Sequence, residues 1–227
     1  MVRTRELLAA MREATLPQET RRGVRASAAD QKRGAVLGYV TQYNKGWTVS
    51  VFTRKHPELA NLACAYARER FPDFVFTSIM VNEGGSALHI DRANIGPSMI
   101  VSLGDHVGGE LWQYPDTIIK VHNRLRPCDG LVPHMTMPYR GERFSLVYFN
   151  LAGNFPQPER SDARYLRSLG FYKPSDRPDA MGRRPRADLL VDAAAVLRRR
   201  GIPAAKIGDY TNASIPSTIY RASRQRT

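Results

Sequence analysis

The sequence predicts a mainly β fold, a two-sheet jelly roll with flanking helices and a small helical C-terminal tail, α+β overall. Between residues 75 and 152, short segments of strand-like composition follow one another, and clusters of Gly, Asp, Asn and Pro separate them. Many short strands at regular spacing without intervening helices are typical of a sandwich or barrel. The predicted strands are 75–82, 86–92, 98–104, 108–114, 117–123 and 143–152.

Apolar residues at helical spacing predict helices on either side of this region. The clearest covers 57–71, and shorter ones cover 3–12 and 161–170. Residues 35–56 alternate apolar and polar residues with Gly breaks, which favours strands. The chain divides into a basic N-terminal arm (1–34), a core with its support helix (35–155), a Pro- and Arg-rich linker (156–187) and a helical tail (188–227).

The composition is strongly basic, with 34 Lys and Arg against 21 Asp and Glu, a net charge of +13. Such a charge predicts attraction to polyanions, with nucleic acid the first expectation and an anionic membrane surface the second. A solvated basic surface without a specific ligand is the alternative. Charge alone does not decide between them.

Cysteine content and hydropathy indicate a soluble protein of a reducing intracellular compartment, nuclear if the source is eukaryotic. Cys64 and Cys128 are too few for a disulfide framework and form no Cys-x-x-Cys metal pair. The first 23 residues are charged and lack the apolar run of a signal peptide. We therefore expect no membrane partner, while the oligomeric state stays open.

His89, Asp91 and His134 form a candidate metal site. On a strand, His89 and Asp91 would project to the same face because they are two residues apart. Two imidazoles and one carboxylate make the facial triad of non-haem Fe(II) oxygenases, which leaves coordination positions open. The alternative for each histidine is a hydrogen-bonded structural role.

Arg143 follows His134 by nine residues and shares a predicted strand face with Ser145. A buried guanidinium needs an anion, and a hydroxyl beside it can donate to the same carboxylate. An internal ion pair with Asp or Glu is the alternative. Trp112 and Tyr148 are candidates for a pocket wall, although large aromatics more often belong to the core.

The pattern His-x-Asp, then a distal His, then Arg-x-Ser resembles the 2-oxoglutarate/Fe(II)-dependent dioxygenase superfamily over roughly residues 75–150. The resemblance implies a double-stranded β-helix with Fe(II) held by His89, Asp91 and His134. It also implies that Arg143 and Ser145 anchor the co-substrate 2-oxoglutarate. The implied activity is the O₂-dependent oxidation of a substrate C–H bond, with 2-oxoglutarate converted to succinate.

The segment HIDRANIGPSMIVSLGDHVGGELW (89–112) is similar to the TET/JBP branch, including compact algal and dinoflagellate proteins associated with mobile elements. That likeness implies a modified base in DNA, 5-methylcytosine or thymine, as the substrate, with Asn94 contacting the flipped base. Asn94 could equally serve turn chemistry. The cysteine-rich zinc region of the animal enzymes is absent from the sequence.

Two other functions stay open. A protein side-chain hydroxylase would keep the metal chemistry, but the prolyl hydroxylases usually have Lys where Arg143 stands. A non-catalytic DNA-binding accessory protein of a mobile element would use the barrel as a scaffold only.

The tail predicts a helix over 188–200 that ends at Gly201. The stretch 201–221 is similar to the terminal helix-turn-helix domain of resolvases and invertases. This likeness implies DNA contacts by Ser214, Ser217, Thr218, Tyr220 and Arg221. The alternative is a helical hairpin packed on the barrel with a basic frayed end.

Overall fold

A computed structural model of the chain describes residues 4–18, 32–42, 46–177 and 184–208. The predicted DNA contacts Ser214, Ser217, Thr218, Tyr220 and Arg221 lie outside these ranges, so their role stays a prediction. The α-helices are α1 (Thr4–Glu13), α2 (Val51–Lys55), α3 (Pro57–Arg70), α4 (Arg160–Leu169), α5 (Leu190–Arg199) and α6 (Ala204–Ile207). None of the helices within these ranges has the length and apolar character needed to cross a bilayer.

The strands form one large sheet and two small ones. They are β1 (Arg33–Gln42), β2 (Gly46–Val49), β3 (Ser78–Glu83), β4 (Asn94–Leu103), β5 (His106–Gly108), β6 (Leu111–Gln113), β7 (Thr117–Ile119), β8 (Arg126–Cys128), β9 (His134–Thr136), β10 (Tyr139–Gly141) and β11 (Phe144–Leu151). The six-stranded sheet has the order β2-β1-β3-β11-β4-β8, and the smaller sheets are β7-β6-β9 and β10-β5. All these strand pairs are antiparallel. The predicted jelly-roll class with flanking helices is confirmed.

The six-stranded sheet has two faces with different roles, and strand β11 illustrates both. Phe144, Leu146 and Tyr148 belong to a core cluster that also contains residues of α1 and α3. The alternate residues Ser145 and Val147 point the other way and line a cavity. The period of two along a strand thus separates a helix-covered core face from a functional face.

Helix α5 packs against a second core cluster. Its buried residues contact the apolar neighbours of the predicted metal ligands. That cluster comprises Leu88, Ile90, Trp112, Met135, Ala187, Leu190, Ala193, Ala194, Leu197 and Ile207. The Leu88 amide also donates to the Lys206 carbonyl at 3.1 Å. Residues 187–207 therefore support the core.

Three local predictions were wrong in whole or in part. Residues 51–55 form helix α2 where strand was expected, because the Ser50 side chain accepts a hydrogen bond from the Thr53 amide and caps the helix. Residues 86–92 do not form a regular strand, since only an isolated bridge between His89 and His134 pairs this segment. The predicted strand 108–114 is shortened to β6 by consecutive left-handed residues at Gly108 (φ 79°) and Gly109 (φ 77°).

Candidate metal centre

His89 and His134 lie directly opposite each other in a short antiparallel bridge. The amide of each donates to the carbonyl of the other, both at 3.0 Å. Their imidazole centroids are 4.3 Å apart. Two residues far apart in sequence are thereby placed with adjacent side chains on one face.

The ring nitrogens of both histidines are oriented by backbone carbonyls. Nδ1 of His89 lies 2.7 Å from the Ala87 carbonyl, and Nδ1 of His134 lies 2.8 Å from the Val132 carbonyl. A carbonyl can only accept, so both Nδ1 atoms carry the proton. In a neutral imidazole with this tautomer, Nε2 is the nitrogen that binds metal ions.

Asp91 completes the cluster through a turn instead of a strand. Its amide donates to the Gly130 carbonyl at 2.8 Å, and its Oδ2 accepts from Asn94 Nδ2 at 3.1 Å. Its Oδ1 lies 3.8 Å from His89 Nε2, and its Oδ2 lies 3.9 Å from His134 Nε2. Asp91 therefore faces both imidazoles without a hydrogen bond to either.

This geometry fits a divalent metal ion. The three ligand atoms lie within 4.8 Å of one another. Metal–nitrogen and metal–oxygen bonds are about 2 Å long, so ligand atoms on one ion are separated by up to about 4 Å. The distances from the Asp91 oxygens to the two Nε2 atoms, 3.8 and 3.9 Å, are within that limit. The Asp91 carboxylate faces the Nε2 atoms of His89 and His134 without a hydrogen bond to either, which leaves room for a cation among the three side chains. Nitrogen and oxygen donors of this kind suit first-row metals, iron included.

A cavity of about 860 Å³ extends from this cluster between the six-stranded and three-stranded sheets. At one end are His89, Asp91, His134 and Asn94. Farther along lies a polar group of residues, namely Lys32, Asn82, Ser86, Thr136 and Ser145. Apolar side chains, including Met80, Ile100, Leu111, Val147 and Phe149, form much of the remaining wall. Such a site combines apolar walls with a few convergent polar groups, as ligand pockets generally do.

From the sequence, Arg143 and Ser145 were expected to project from the same face of a strand, but the structure places their side chains in different surroundings. Ser145 lines the cavity, whereas the Arg143 side chain, 3% exposed, is not among its lining residues. The guanidinium donates to the Gly84 carbonyl at 3.0 Å and to the Gly109 carbonyl at 3.1 Å. Burial lowers the pKa of Arg143 to about 10. No carboxylate in the described ranges forms an ion pair with it, so the alternative of an internal ion pair is not found there.

The remaining predicted residues are divided between site and core. Asn94 lines the cavity and contacts Asp91. Trp112 and Tyr148 are fully buried core residues, where Trp112 Nε1 donates to Asp116 at 2.8 Å and the Tyr148 hydroxyl donates to the Ala63 carbonyl at 2.9 Å. Neither aromatic lines the cavity.

Sequence reasoning missed most of the polar group in the cavity. Lys32 stands at the edge of a basic segment, and nothing in its local pattern distinguishes it from the surface cations nearby. Asn82 follows Met80 by two residues, and Thr136 follows His134 by two residues. That spacing could have indicated that the two members of each pair project from the same face of a strand. Gly130 was also missed. A Cβ at Gly130 would lie 2.8 Å from Asp91 Oδ2, so the turn around the carboxylate requires glycine there.

Comparisons with known proteins give structural likenesses only. No family model and no curated protein sequence matches this chain. It is similar to a 2OG-Fe(II) oxygenase family oxidoreductase from Burkholderia pseudomallei (16% identity, TM-score 0.42, covering 63% of this chain and 76% of that one). It is also similar to OsALKBH1, with 12% identity and a TM-score of 0.38 over 64% of this chain and 91% of that one. A third similar structure is YcfD, a ribosomal oxygenase from Escherichia coli, with 15% identity and a TM-score of 0.32 over 89% of this chain and 58% of that one.

Proposed function

We propose that this chain is a non-haem Fe(II)-dependent dioxygenase that uses 2-oxoglutarate and O₂. One observation carries the proposal: His89, Asp91 and His134 direct two Nε2 lone pairs and a carboxylate at one point in the wall of a large cavity. Three protein ligands on one side leave the other coordination positions open for small molecules.

Each residue of the site has a role in this reaction. His89 and His134 would bind the metal through Nε2, and the Ala87 and Val132 carbonyls hold the rings in the required tautomer. Asp91 would supply the anionic ligand, oriented by Asn94 and by the Gly130 carbonyl. When bound, Fe(II) with 2-oxoglutarate and O₂ supplies the oxidising power for a substrate C–H bond. The apolar walls limit the access of water to the reacting atoms.

For the substrate we propose a modified base in DNA, of the 5-methylcytosine or thymine type. The net charge of +13 suits a polyanion whose phosphates contribute most of the affinity. A cavity of about 860 Å³ is large enough for a co-substrate and a base flipped out of the duplex. The Asn94 amide, beside Asp91 in the cavity wall, is within the region that such a base would enter.

The test is to incubate the protein with Fe(II), 2-oxoglutarate and methylated or unmethylated duplex DNA. Succinate is measured, and nucleosides are analysed by mass spectrometry. We expect oxidised pyrimidine products from methylated DNA and none from the variant His134→Ala. Succinate release that no DNA stimulates would reject the DNA substrate while leaving the enzyme class intact. If a peptide substrate stimulated it instead, the protein hydroxylase alternative would replace it.

A further inference from the structure

Basic residues occupy every second position of the 120–126 segment, and each of them is exposed. They are Lys120, His122, Arg124 and Arg126. Val121 and Leu125 anchor the same segment, since their side chains are buried in the apolar core. Residues 117–128 include no Asp or Glu. The segment therefore presents a dense positive charge to the solvent.

The permanent cations of this segment differ from several surface arginines in having no described ion-pair partner. Within the part of the chain that the structure describes, Lys120, Arg124 and Arg126 form no ion pair. Arg200, which is also on the surface, pairs with Asp116 at 2.6 Å. A positive surface that the protein itself does not neutralise attracts polyanions.

Lys120 and Arg124 meet at a depression of about 250 Å³ in the surface. The residues that line it are Gly108, Glu110, Lys120, Val121, His122 and Arg124. Glu110 is the one carboxylate among these lining residues, so the two permanent cations leave a positive balance. Because a water molecule occupies about 30 Å³, a phosphate group and several waters fit into this space. A phosphate there could accept charge-assisted hydrogen bonds from both cations.

The backbone of the 120–126 segment is fixed to strand β4. The Ser102 amide donates to the Val121 carbonyl at 2.9 Å, and the Asn123 amide donates to the Ser102 carbonyl at 2.8 Å. Nε2 of His122 also lies 3.0 Å from the Gly104 carbonyl. A surface whose backbone is held in this way loses little conformational freedom when it binds a ligand.

Arg126 connects this surface to the candidate metal centre. It lies on β8, the edge strand of the six-stranded sheet, opposite Ile100 of β4. Cys128, about 7 Å farther along the strand, already lines the cavity. The chain then reaches Gly130, whose carbonyl accepts from the Asp91 amide. The edge strand thus leads from the 120–126 segment to a candidate metal ligand.

The length of this edge corresponds to a short stretch of duplex DNA. Strand β4 places Ser102 about 25 Å from Asn94, which lines the cavity. Since B-DNA rises about 3.4 Å per base pair, this length corresponds to about seven base pairs. At the Asn94 end stands Arg92, an exposed residue of the cavity lining. A duplex along this edge would contact the 120–126 segment and also reach the cavity.

We infer that the 120–126 segment binds the phosphate backbone of duplex DNA, with Lys120, Arg124 and Arg126 as the contacting cations. The inference rests on the proposed function for its choice of polyanion, and it gives that function a docking surface on the core of the protein. The duplex lies along the β8 edge of the sheet, and the base to be oxidised enters the cavity at the Arg92 end. Contacts with phosphates position the DNA without selecting a sequence.

The experiment measures binding of the full chain to a fluorescein-labelled DNA duplex by anisotropy over a range of salt concentrations. Lys120→Gln, Arg124→Gln and Arg126→Gln are made singly and combined in one variant. Each lost contact should make the slope of log K against log salt shallower by about 0.9, so the combined variant should lose about 2.7. Its affinity at moderate salt should fall by at least about 10-fold. Because the three side chains are exposed, its melting temperature and Mn(II) affinity should equal those of the wild type.

The matched control removes three exposed cations from helix α4. Arg160→Gln, Arg164→Gln and Arg167→Gln, combined in one variant, change the net charge by the same amount. Helix α4 packs through Leu166 on the core cluster, which lies on the other face of the six-stranded sheet from the cavity. This variant should keep the wild-type slope and affinity for DNA.

The outcomes separate the docking surface from the proposed reaction. A combined 120–126 variant whose slope and affinity equal those of the α4 control would overturn the inference and leave the proposed oxidation of DNA untouched. Capture by vesicles containing phosphatidylserine without any binding of DNA, lost in the combined variant, would make the surface a membrane contact instead. Wild-type protein that binds the duplex through these residues but oxidises no base would support the surface and reject the proposed substrate.

Discussion

His89 and His134 exchange both backbone hydrogen bonds with each other, and this exchange brings the two imidazoles to one point. The two residues are the only pair joining the 86–92 segment to strand β9 by an antiparallel bridge in the described ranges. The pairing aligns the two side chains before any ion binds. Metal affinity should therefore depend on the ring nitrogens more than on a rearrangement of the chain.

Replacing either histidine with alanine should abolish metal binding and leave the fold intact. The imidazoles retain some exposure, with side-chain values of 13% for His89 and 10% for His134, so their removal creates little cavity in the core. Titration with Mn(II) or Fe(II) under anaerobic conditions measures the affinity, and circular dichroism measures the fold. His122→Ala is the matched control, since His122 is exposed and its Nε2 bonds to the Gly104 carbonyl, away from the cluster. Full metal affinity in His134→Ala would contradict the assignment.

Asn94 should tune metal affinity through Asp91. Its Nδ2 donates to Asp91 Oδ2 at 3.1 Å, and residues that orient a metal ligand typically contribute 10- to 100-fold to affinity. Asn94→Ala should therefore weaken Mn(II) binding by roughly 10-fold. Asn94→Asp changes the charge beside Asp91, and its effect on Mn(II) affinity distinguishes a hydrogen-bonding role from an electrostatic one. An Asn94→Ala protein with unchanged metal affinity but impaired oxidation of DNA would favour direct base contact instead.

Gly130 should not tolerate a side chain. A Cβ would lie 2.8 Å from Asp91 Oδ2 and 3.2 Å from Asn94 Nδ2, so Gly130→Ala must displace the carboxylate from its present position. We expect at least a roughly 10-fold loss of Mn(II) affinity with a melting temperature near that of the wild type. A protein with unchanged affinity would show that the turn can move without cost to the site.

The local pattern of the sequence predicts much of the fold and the convergence of the three candidate metal ligands, for identifiable reasons. The helix over 57–71 and strand β11 have long periodic patterns, and the structure contains both. His89, Asp91 and His134 were expected on strands, and they do converge. His134 lies on strand β9, but His89 is held by an isolated bridge and Asp91 by a turn. The three side chains come together as expected although the supporting geometry is different, and their role as metal ligands stays a prediction.

Features that depend on distant segments were not predictable. Strands β8, β9 and β10 have three residues each, which is too short for a periodic signal. The burial of Lys32 depends on residues near Ser86, far along the chain. The acceptors of the Arg143 guanidinium include two carbonyls from separate glycine segments, Gly84 and Gly109. Local pattern carries no information on such pairings.

Helix α5 should stabilise the metal centre specifically. Leu197 is fully buried in the cluster that contains Leu88 and Ile90, the two neighbours of His89. Leu197→Ala should lower the free energy of unfolding by about 2 to 5 kcal/mol and also weaken Mn(II) binding. Leu166→Ala on helix α4 is the control, because Leu166 is equally buried but belongs to the other core cluster. It should lose similar stability and keep its metal affinity. Equal effects of both variants on metal affinity would indicate a merely global loss of stability.

Truncation at two points separates the roles proposed for the C-terminal region. Removing residues 188–227 takes away α5 and the Lys206 carbonyl that accepts from the Leu88 amide, so metal binding should be lost.

Removing only 209–227 should preserve metal binding but reduce the affinity for duplex DNA, since five of the proposed DNA-binding residues lie there. Fluorescence anisotropy over a range of salt concentrations measures that affinity, and the slope of log K against log salt should become shallower by about 0.9 for each phosphate that the shortened protein no longer neutralises. If the 209–227 deletion leaves both slope and affinity unchanged, the resemblance of this segment to resolvases has no functional basis, and the exposed cations of the core must account for any DNA binding.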